Sequence, residues 1–410
     1  MSSLKLSIGD NKSDISLATY SALCDNFIFA GKEEAEIYKN QCHVTFKQLR
    51  TLCRKNKFSY PLFLANEDTI NSLIETYNTR LYGKIDENSV LVMGSRESLV
   101  DVRSMRWIIA DISEKQKVYK NYGFNTNLQD EKIVKFLKNS KKSISDQVDY
   151  IRSKIDLSSE DMRNNCKTKN DAFKYITDKL SLIHVHVYRE VKNAMPQNLP
   201  ESMMISGIYI RDNYNPAIFI GNELSLHPNE GIGRKIYTTI FLLVAIFKDY
   251  SFAVKINHDN PKMDAETKKK LSEIHDITNE ILMPKEYLES ISISTIEDVK
   301  READVLKVSP TALTVRLSRL KLLDKDTANE IKEVLRSEYD TFIKKKHAEN
   351  KKKRDSGINT GPPLSVTYKS YHGDFIDFVK NNVPEAQRKS IFESRVSYGR
   401  SYAKYEDLYG

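Results

Sequence analysis

The chain reads as an α+β protein in which helices predominate. Three observations carry this. Apolar residues recur at helical spacing through most of the first 165 residues, β-branched and aromatic residues alternate in three short runs between Ile183 and Gly221, and two helical segments flank a Ser-Pro turn near Ser309. The chain has 410 residues, 40% hydrophobic and 29% charged. Such a composition excludes a wholly disordered or collagen-like polypeptide and supplies a sizeable core, spread over roughly two to four domains by length.

From Thr45 to Leu64 (TFKQLRTLCRKNKFSYPLFL) Phe46, Leu49, Leu52 and Cys53 share one helical face, and the pattern breaks at Ser59-Tyr60-Pro61. Ile70, Leu73, Ile74 and Tyr77 repeat the spacing between Thr69 and Tyr82, and the segments 101–122 and 128–155 continue it. The texture changes after Lys169. A helix is predicted over Asp171 to Leu182, and Ile183 to Tyr188 (IHVHVY) alternates as a strand with one buried side does. Two further strands, Met204 to Arg211 and Ala217 to Gly221, flank the turn-forming Asp212-Asn213-Tyr214-Asn215-Pro216.

A polar loop with Pro228, Gly231 and Gly233 leads into a helix over Arg234 to Lys248. Between Ile240 and Phe247 that helix is apolar nearly all round, so it should be buried on every side. Another helix, Ala265 to Leu282, ends at Met283-Pro284. Ile296 to Leu323 holds two helices around Lys307-Val308-Ser309-Pro310, with Ser309 as N-cap and Pro310 at the first helical position, the spacing of a helix-turn-helix. Beyond it lie a basic stretch, a loop containing Gly and Pro (Ser356 to Pro363), and a Tyr- and Ser-rich tail, Leu364 to Gly410, with one or two short helices. The tail is expected to order in part only against a partner. No internal repeat is present.

The charge is unevenly placed. Lys and Arg number 64 and Asp and Glu 56, a formal +8. Thr341 to Arg354 (TFIKKKHAENKKKR) holds seven Lys/Arg and one Glu, which leaves 57 basic and 55 acidic residues elsewhere. The body is nearly neutral, which excludes a protein that coats a nucleic-acid duplex over its whole surface. The longest apolar run, Ile240 to Phe247, is eight residues, against about 20 for a membrane span. MSSLKLSIGDNKSDIS has no apolar segment that would serve in secretion, so a cytoplasmic protein is expected. Cys24, Cys42, Cys53 and Cys166 form no C-x-x-C pair and read as reduced thiols.

The order of helix, strand, strand pair, loop, long helix, helix ending in Leu282-Met283-Pro284, and helix-turn-helix resembles the ImmA/IrrE family of zinc peptidase regulators. The local strings agree. Ile205-Ser206-Gly207-Ile208 through Pro216-Ala217-Ile218-Phe219-Ile220 looks like the family's strand pair, and Asp298 to Leu317, ending in VSPTALTVRL, is similar to its V-S-x-x-A-x-x-x-R-L segment. Thr45 to Leu64 resembles the string that follows a Cro-type DNA-binding domain in longer relatives; Asp101 to Ser104 resembles their D-F-R-T, and Tyr368 to Val379 their C-terminal helix entry.

The resemblance implies a zincin-like (thermolysin-type) core with a small β-sheet, flanked by helical and helix-turn-helix segments. It divides the chain into a degenerate Cro-type helical domain (1–75), a helical connecting region (76–165), a pseudo-peptidase domain (166–295), a helix-turn-helix segment (296–340), a basic linker (341–363) and a C-terminal helical tail (364–410). Chemistry in the family depends on H-E-x-x-H, whose two His hold zinc from one helix face while the Glu acts as general base. Laying the family's preceding F-T-L-A on Tyr237 to Ile240 puts Phe241, Leu242, Leu243, Val244 and Ala245 in the motif positions. None can ligate a metal. The third, acidic ligand would fall near Leu271, and Glu273 close by would be a lone carboxylate facing an apolar wall. No catalytic residue, metal or cofactor is therefore expected.

Three functions remain open. The first is a silent regulator that binds a protein, a repressor of the Cro type, as proteins of mobile elements and stress circuits do. The second is a nucleic-acid-binding transcription regulator acting through Arg316, Arg319 and the run Lys344, Lys345, Lys346, Lys351, Lys352, Lys353 and Arg354, with Lys321 nearby and Tyr368, Tyr371 and Tyr402 downstream. The third is a metallopeptidase with atypical ligands from His184 and His186, two apart on one strand face, or His227. The segment Asp14 to Val44 carries five acids against two lysines, a poor surface for phosphates, and reads as a remnant for packing or dimerisation.

Overall fold

The computed structural model describes residues 3–26, 31–56, 58–81, 90–94, 106–123, 142–191, 194–195, 205–221, 228–250, 255–256, 265–355, 364–399 and 404–409. The chain opens on a hairpin of β1 (Ser3–Ile8) and β2 (Asn11–Ser16), whose two-residue turn uses Gly9 at φ 59°. β3 (His43–Thr45) lies parallel to β1 on its other side. Helices α1 (Leu17–Asp25), α2 (Lys32–Asn40), α3 (Phe46–Asn56) and α4 (Glu67–Leu81), with a 3-10 turn at Tyr60–Leu64, pack on this sheet. Leu4 and Leu6 from β1 meet Leu49, Leu52 and Phe63 in one core. The α3 face is the one its spacing predicts. The degenerate Cro-type helical domain expected for 1–75 holds helices together with three strands that the sequence reading did not include.

A five-stranded sheet forms the centre of the remaining chain, in the order β5 (His186–Arg189), β7 (Ala217–Ile220), β6 (Ile205–Ile210), β4 (Val90–Gly94) and β8 (Lys255–Ile256). β5 is parallel to β7 and β4 to β8, whereas β6 runs antiparallel to both its neighbours. β4 comes from the region read as a helical connection. Helix α5 (Arg106–Tyr122) covers one face of the sheet. The other face carries α6 (Ile144–Ile155), α7 (Ser159–Asn165), α8 (Lys169–Leu182), α9 (Pro228–Phe247), α10 (Ala265–Leu282), α11 (Lys285–Glu289), α12 (Ile296–Val305), α13 (Pro310–Arg319) and the start of α14 (Lys325–Asp355). The chain then returns to the α5 face with α15 (Leu364–His372), α16 (Phe375–Asn382), α17 (Glu385–Arg395) and α18 (Glu406–Tyr409).

Both faces of β5, β6 and β7 are therefore buried. Tyr209, Ile218, Ile220 and Val187 point into the α9 core, and Ile208, Ile210, Phe219 and Tyr188 into the α5 core. The one-sided strand expected at Ile183–Tyr188 is corrected accordingly: it begins at His186 and is apolar-packed on both sides. α9 lies directly on β6, because Gly207 presents no Cβ that would come within 2.9 Å of Thr238 and Leu242. The same device seats the helix-turn-helix. A Cβ on Gly233 would stand 2.4 Å from the main chain of Val308 and Ser309. Ser309 caps α13 with Pro310 in its first turn, and Thr295 and Asp298 form a capping box on α12. Val299, Leu306, Val308, Leu313 and Leu317 share the α9 core, so the helix-turn-helix is part of that body.

Two further expectations are refined here. The basic linker given as 341–363 is helical over its first part: α14 continues through the run to Asp355, in line with the solvated helix end that its Lys-rich pattern also suggests. From Leu335, its last residue in the core, the helix runs on for about 30 Å at 1.5 Å per residue. The tail is core: Tyr368, Tyr371, Phe375, Phe378 and Val379 are buried in the second layer, while Tyr402 lies outside the described residues.

What fastens that layer is polar. Asp111, Lys115 and Tyr119 stand at i, i+4 and i+8 on one face of α5, all with no solvent exposure. Lys115 Nζ donates to Asp111 Oδ2 (2.6 Å) and to the Tyr398 hydroxyl (2.9 Å). The hydroxyls of Tyr371 and Tyr398 donate to Asp111 at 2.5 and 2.9 Å. Lys115 Nζ also lies 4.6 Å from the centre of the Tyr371 ring. Burial depresses the Lys115 pKa to about 8, with Asp111 opposing the shift. The Tyr398 carbonyl accepts from Gly31 N–H (3.1 Å), which ties the N-terminal unit to the same point.

Removing one partner of a buried pair strands the other charge, whereas replacing both with apolar groups does not. Asp111→Ala should lower stability by about 3–5 kcal/mol, and Asp111→Leu with Lys115→Met should lower it by clearly less. Denaturant unfolding of the two variants checks this; equal losses would show that the charge pair is not what fastens the layer.

Candidate functional site

The positions aligned with the zinc motif lie in the middle of α9. Phe241, Leu242, Leu243, Val244 and Ala245 are all fully buried, and Leu271, the place of the third ligand, is 5% exposed. Polar groups occur at the two ends of this packed stretch. Towards the start of α9 the Tyr237 hydroxyl meets His275 Nδ1 at 2.8 Å and donates to Asn279 Oδ1 at 3.2 Å. Past its end, Lys248 Nζ donates to Glu273 Oε1 (2.6 Å) and Gln147 Oε1 (2.8 Å), and the Tyr250 hydroxyl to Glu273 Oε2 (2.7 Å).

Glu273 is thus not the lone carboxylate expected from the sequence. Burial would raise its pKa, but the bonds from Lys248 and Tyr250 outweigh that and hold it below its ordinary value. His275, whose ring lies 4.7 Å from that of Phe241, is the one imidazole placed beside the motif positions among the described residues. No three His, Cys, Asp or Glu gather into a metal-binding group among the described residues.

The candidate phosphate contacts part company. Arg316 is 8% exposed and its guanidinium pairs with Glu280 of α10, so it fastens the helix-turn-helix to the body and is corrected from a surface contact to a structural one. Arg319 is half-exposed, 4.0 Å from Asp276. Lys344, Lys345 and Lys352 are exposed on α14. The side chains of Lys346, Lys351, Lys353 and Arg354 lie outside the described residues.

The histidines are likewise separated. His184 precedes β5 in a left-handed turn (φ 60°), and His186 begins the strand, so they do not share a strand face as expected. His227 lies outside the described residues. The buried His186 ring stacks on Tyr119, with centroids 3.7 Å apart and planes 7° from parallel. Its Nδ1 stands 3.0 and 3.2 Å from the two oxygens of Asp374. The Tyr119 hydroxyl donates to Asp374 Oδ1 (3.0 Å), and Ser181 Oγ donates to Oδ2. Burial alone would raise the Asp374 pKa, but His186, Ser181 and Tyr119 together bring it down to about 2.

This carboxylate opens on a cleft of about 500 Å³ between α8, β5 and the α15–α16 corner. Gly373 (φ 55°) makes the corner: a Cβ there would stand 2.8 Å from the Val187 carbonyl oxygen. Farther along, Arg189 donates from Nε to the Ser370 carbonyl (3.2 Å) and from Nη2 to Ser370 Oγ (2.7 Å), with its guanidinium 5.4 Å from the centre of the Phe173 ring. The Ser181 hydroxyl is engaged by Asp374 and not by His186, so the group is no Ser-His relay for nucleophilic attack. It holds fixed charges of both signs. Nothing in the sequence brings residues 186 and 374 together; only the return of the chain to the α5 face does so.

No protein-family model, curated protein or solved structure matches the chain.

With a folded-state pKa of about 2 against 3.8, the Asp374 pairing stabilises the fold fully above pH 4 and is lost as pH falls towards 2. Asp374→Asn should cost about 1–2 kcal/mol at neutral pH and flatten the acid limb of the stability curve between pH 4 and 2. Acid limbs that run parallel in the parent and the variant would remove the pairing from the list of stabilising contacts.

Proposed function

We propose that this chain is a catalytically silent relative of the ImmA/IrrE peptidases, with a zincin-like core, that works as a regulatory protein binding a repressor-type transcription regulator. The observation that carries the reading is the solid packing of Phe241 to Ala245 at the place of the zinc motif. An emptied metal site would leave polar ligands buried without a partner, at a cost of about 1–3 kcal/mol each. Aliphatic and aromatic replacements remove that cost and turn the helix into core. The order of elements supports the same reading: a long helix lies across a mixed sheet, and a helix ending in Leu-Met-Pro and a helix-turn-helix follow. Such a protein keeps the grip of a peptidase on its regulator and loses the cut.

Affinity capture with the full chain from native cells should return a repressor-type regulator, and a return without one contradicts the proposal. After loading with zinc and gel filtration the protein should retain less than about a tenth of an equivalent, since a built site holds zinc tightly. Stoichiometric retention would instead favour a metallopeptidase with ligands from His184, His186 or His227.

The exposed lysines on the distal part of α14 favour a second reading, a nucleic-acid-binding regulator. On that reading, affinity for duplex DNA falls about tenfold or more between 50 and 200 mM salt, and neutralising Lys344, Lys345, Lys346, Lys351, Lys352, Lys353 and Arg354 abolishes it. Unchanged binding by that variant discards the reading.

A further inference from the structure

The cleft beside Asp374 lies outside the region aligned with the peptidase motif, and its charges are ordered along its length. α8 contributes Phe173 towards its start and Ser181 near its end, about 12 Å apart at 1.5 Å per residue. Arg189 stacks on Phe173 and bonds to Ser370, with Lys369 adjacent, while Asp374 bonds to Ser181, with Asp377 one turn farther on. The cleft thus runs from a cationic end at Arg189 and Lys369 to an anionic end at Asp374 and Asp377. Lys174 and Asp178, also in the lining, pair with each other and cancel. Arg189 has no carboxylate partner among the described residues, although it is partly buried and held by hydrogen bonds from one side. A guanidinium held in that way has donors left for a ligand carboxylate.

The floor of the cleft is the outer edge of β5, covered where the Val187 carbonyl meets Gly373. Among the described residues β5 pairs with β7 alone, and the His186 and Glu190 N–H groups bond to Pro216 and Ile220 on that side. Alternation along the strand turns the Val187 and Arg189 N–H groups towards the other edge, where the cleft lies. Three extended residues span about 10 Å, close to the distance between the charged ends.

We propose that this cleft binds a short extended peptide with free termini, about three residues long, its carboxylate at Arg189 and Lys369 and its amine at Asp374 and Asp377. Phosphate or a simple carboxylate fits less well, because Asp374 and Asp377 repel an anion that has no positive end to satisfy them.

The test titrates the full-length protein with tri-alanine by calorimetry and by amide-shift mapping. Binding is expected with Kd at or below about 1 mM, with shifts on 173–181, 187–189 and 369–377. N-acetylation or C-amidation of the peptide should each weaken it about tenfold. Arg189→Gln should remove the preference for the free carboxylate over the amide. If Arg189→Gln does not fold, the exposed Lys369→Gln serves, with binding expected about two- to fivefold weaker. The proposal falls if tri-alanine gives neither heat nor shifts at about ten times that concentration, if the capped peptides bind as well as the free one, or if acetate and inorganic phosphate bind as tightly as the tripeptide.

Discussion

A sheet whose strands are apolar on both faces has to be covered twice, and in this protein the two covers come from different parts of the chain. The central stretch, from α6 to the start of α14, covers the first face. The second is covered by α5, which precedes most of the strands, and by the last residues of the chain, which follow a helix of 31 residues. Ile208, Ile210, Phe219 and Tyr188 cannot be left in water, so the C-terminal segment is core by necessity. Its Tyr content, which reads as the mark of an interaction tail, reflects instead a buried layer in which the hydroxyls of Tyr371 and Tyr398 are bonded to Asp111.

An apolar cover alone does not fix its own register. Helices sliding on a surface of Ile and Phe lose little at each step, whereas Asp111, Lys115 and Tyr119 accept one arrangement of Tyr371, Asp374 and Tyr398. Buried polar groups of this kind add little net stability over well-packed apolar residues, and their attested use is to select one packing over its alternatives. Gly373 and Tyr398, both in left-handed backbone, sit beside this stripe and shape the segment to fit it. The device also reaches the cleft, since Tyr119 donates to Asp374 in its lining.

Legibility in the sequence followed the range of the interactions. Leu49, Leu52 and Cys53, the all-round apolar Ile240–Phe247, and the Ser309-Pro310 cap are local patterns, and each forms the predicted element. β1 was missed although Leu4 and Leu6 alternate with polar neighbours, because six residues are too few to stand against the helical texture that follows. Arg316 reads as a surface cation on α13, and Arg189 as an ordinary strand-end residue. Their roles depend on Glu280 and Ser370, which the fold alone brings near. The same holds for His186, whose spacing from His184 suggested a shared face; the left-handed turn at His184 separates them. The Lys-rich run reads as a solvated helix end leading into a linker, and the helix is there, extending to Asp355.

Tyr398 draws the parts of the molecule together. Its hydroxyl accepts from Lys115 and donates to Asp111, its carbonyl accepts from Gly31, and it stands three residues past the end of α17. Gly31 has its own reason to be glycine: at φ 86° a Cβ would stand 2.5 Å from Leu52. The N-terminal unit, α5 and the C-terminal segment therefore share one residue, and the same α5 stripe ends at Tyr119, which bonds to Asp374 in the lining of the cleft. Geometry at Asp374 and docking of the N-terminal unit thus depend on one rigid helix. Moving either requires that a fully buried charge pair be carried along intact, because separating Asp111 from Lys115 in that interior would cost more than any single surface contact returns.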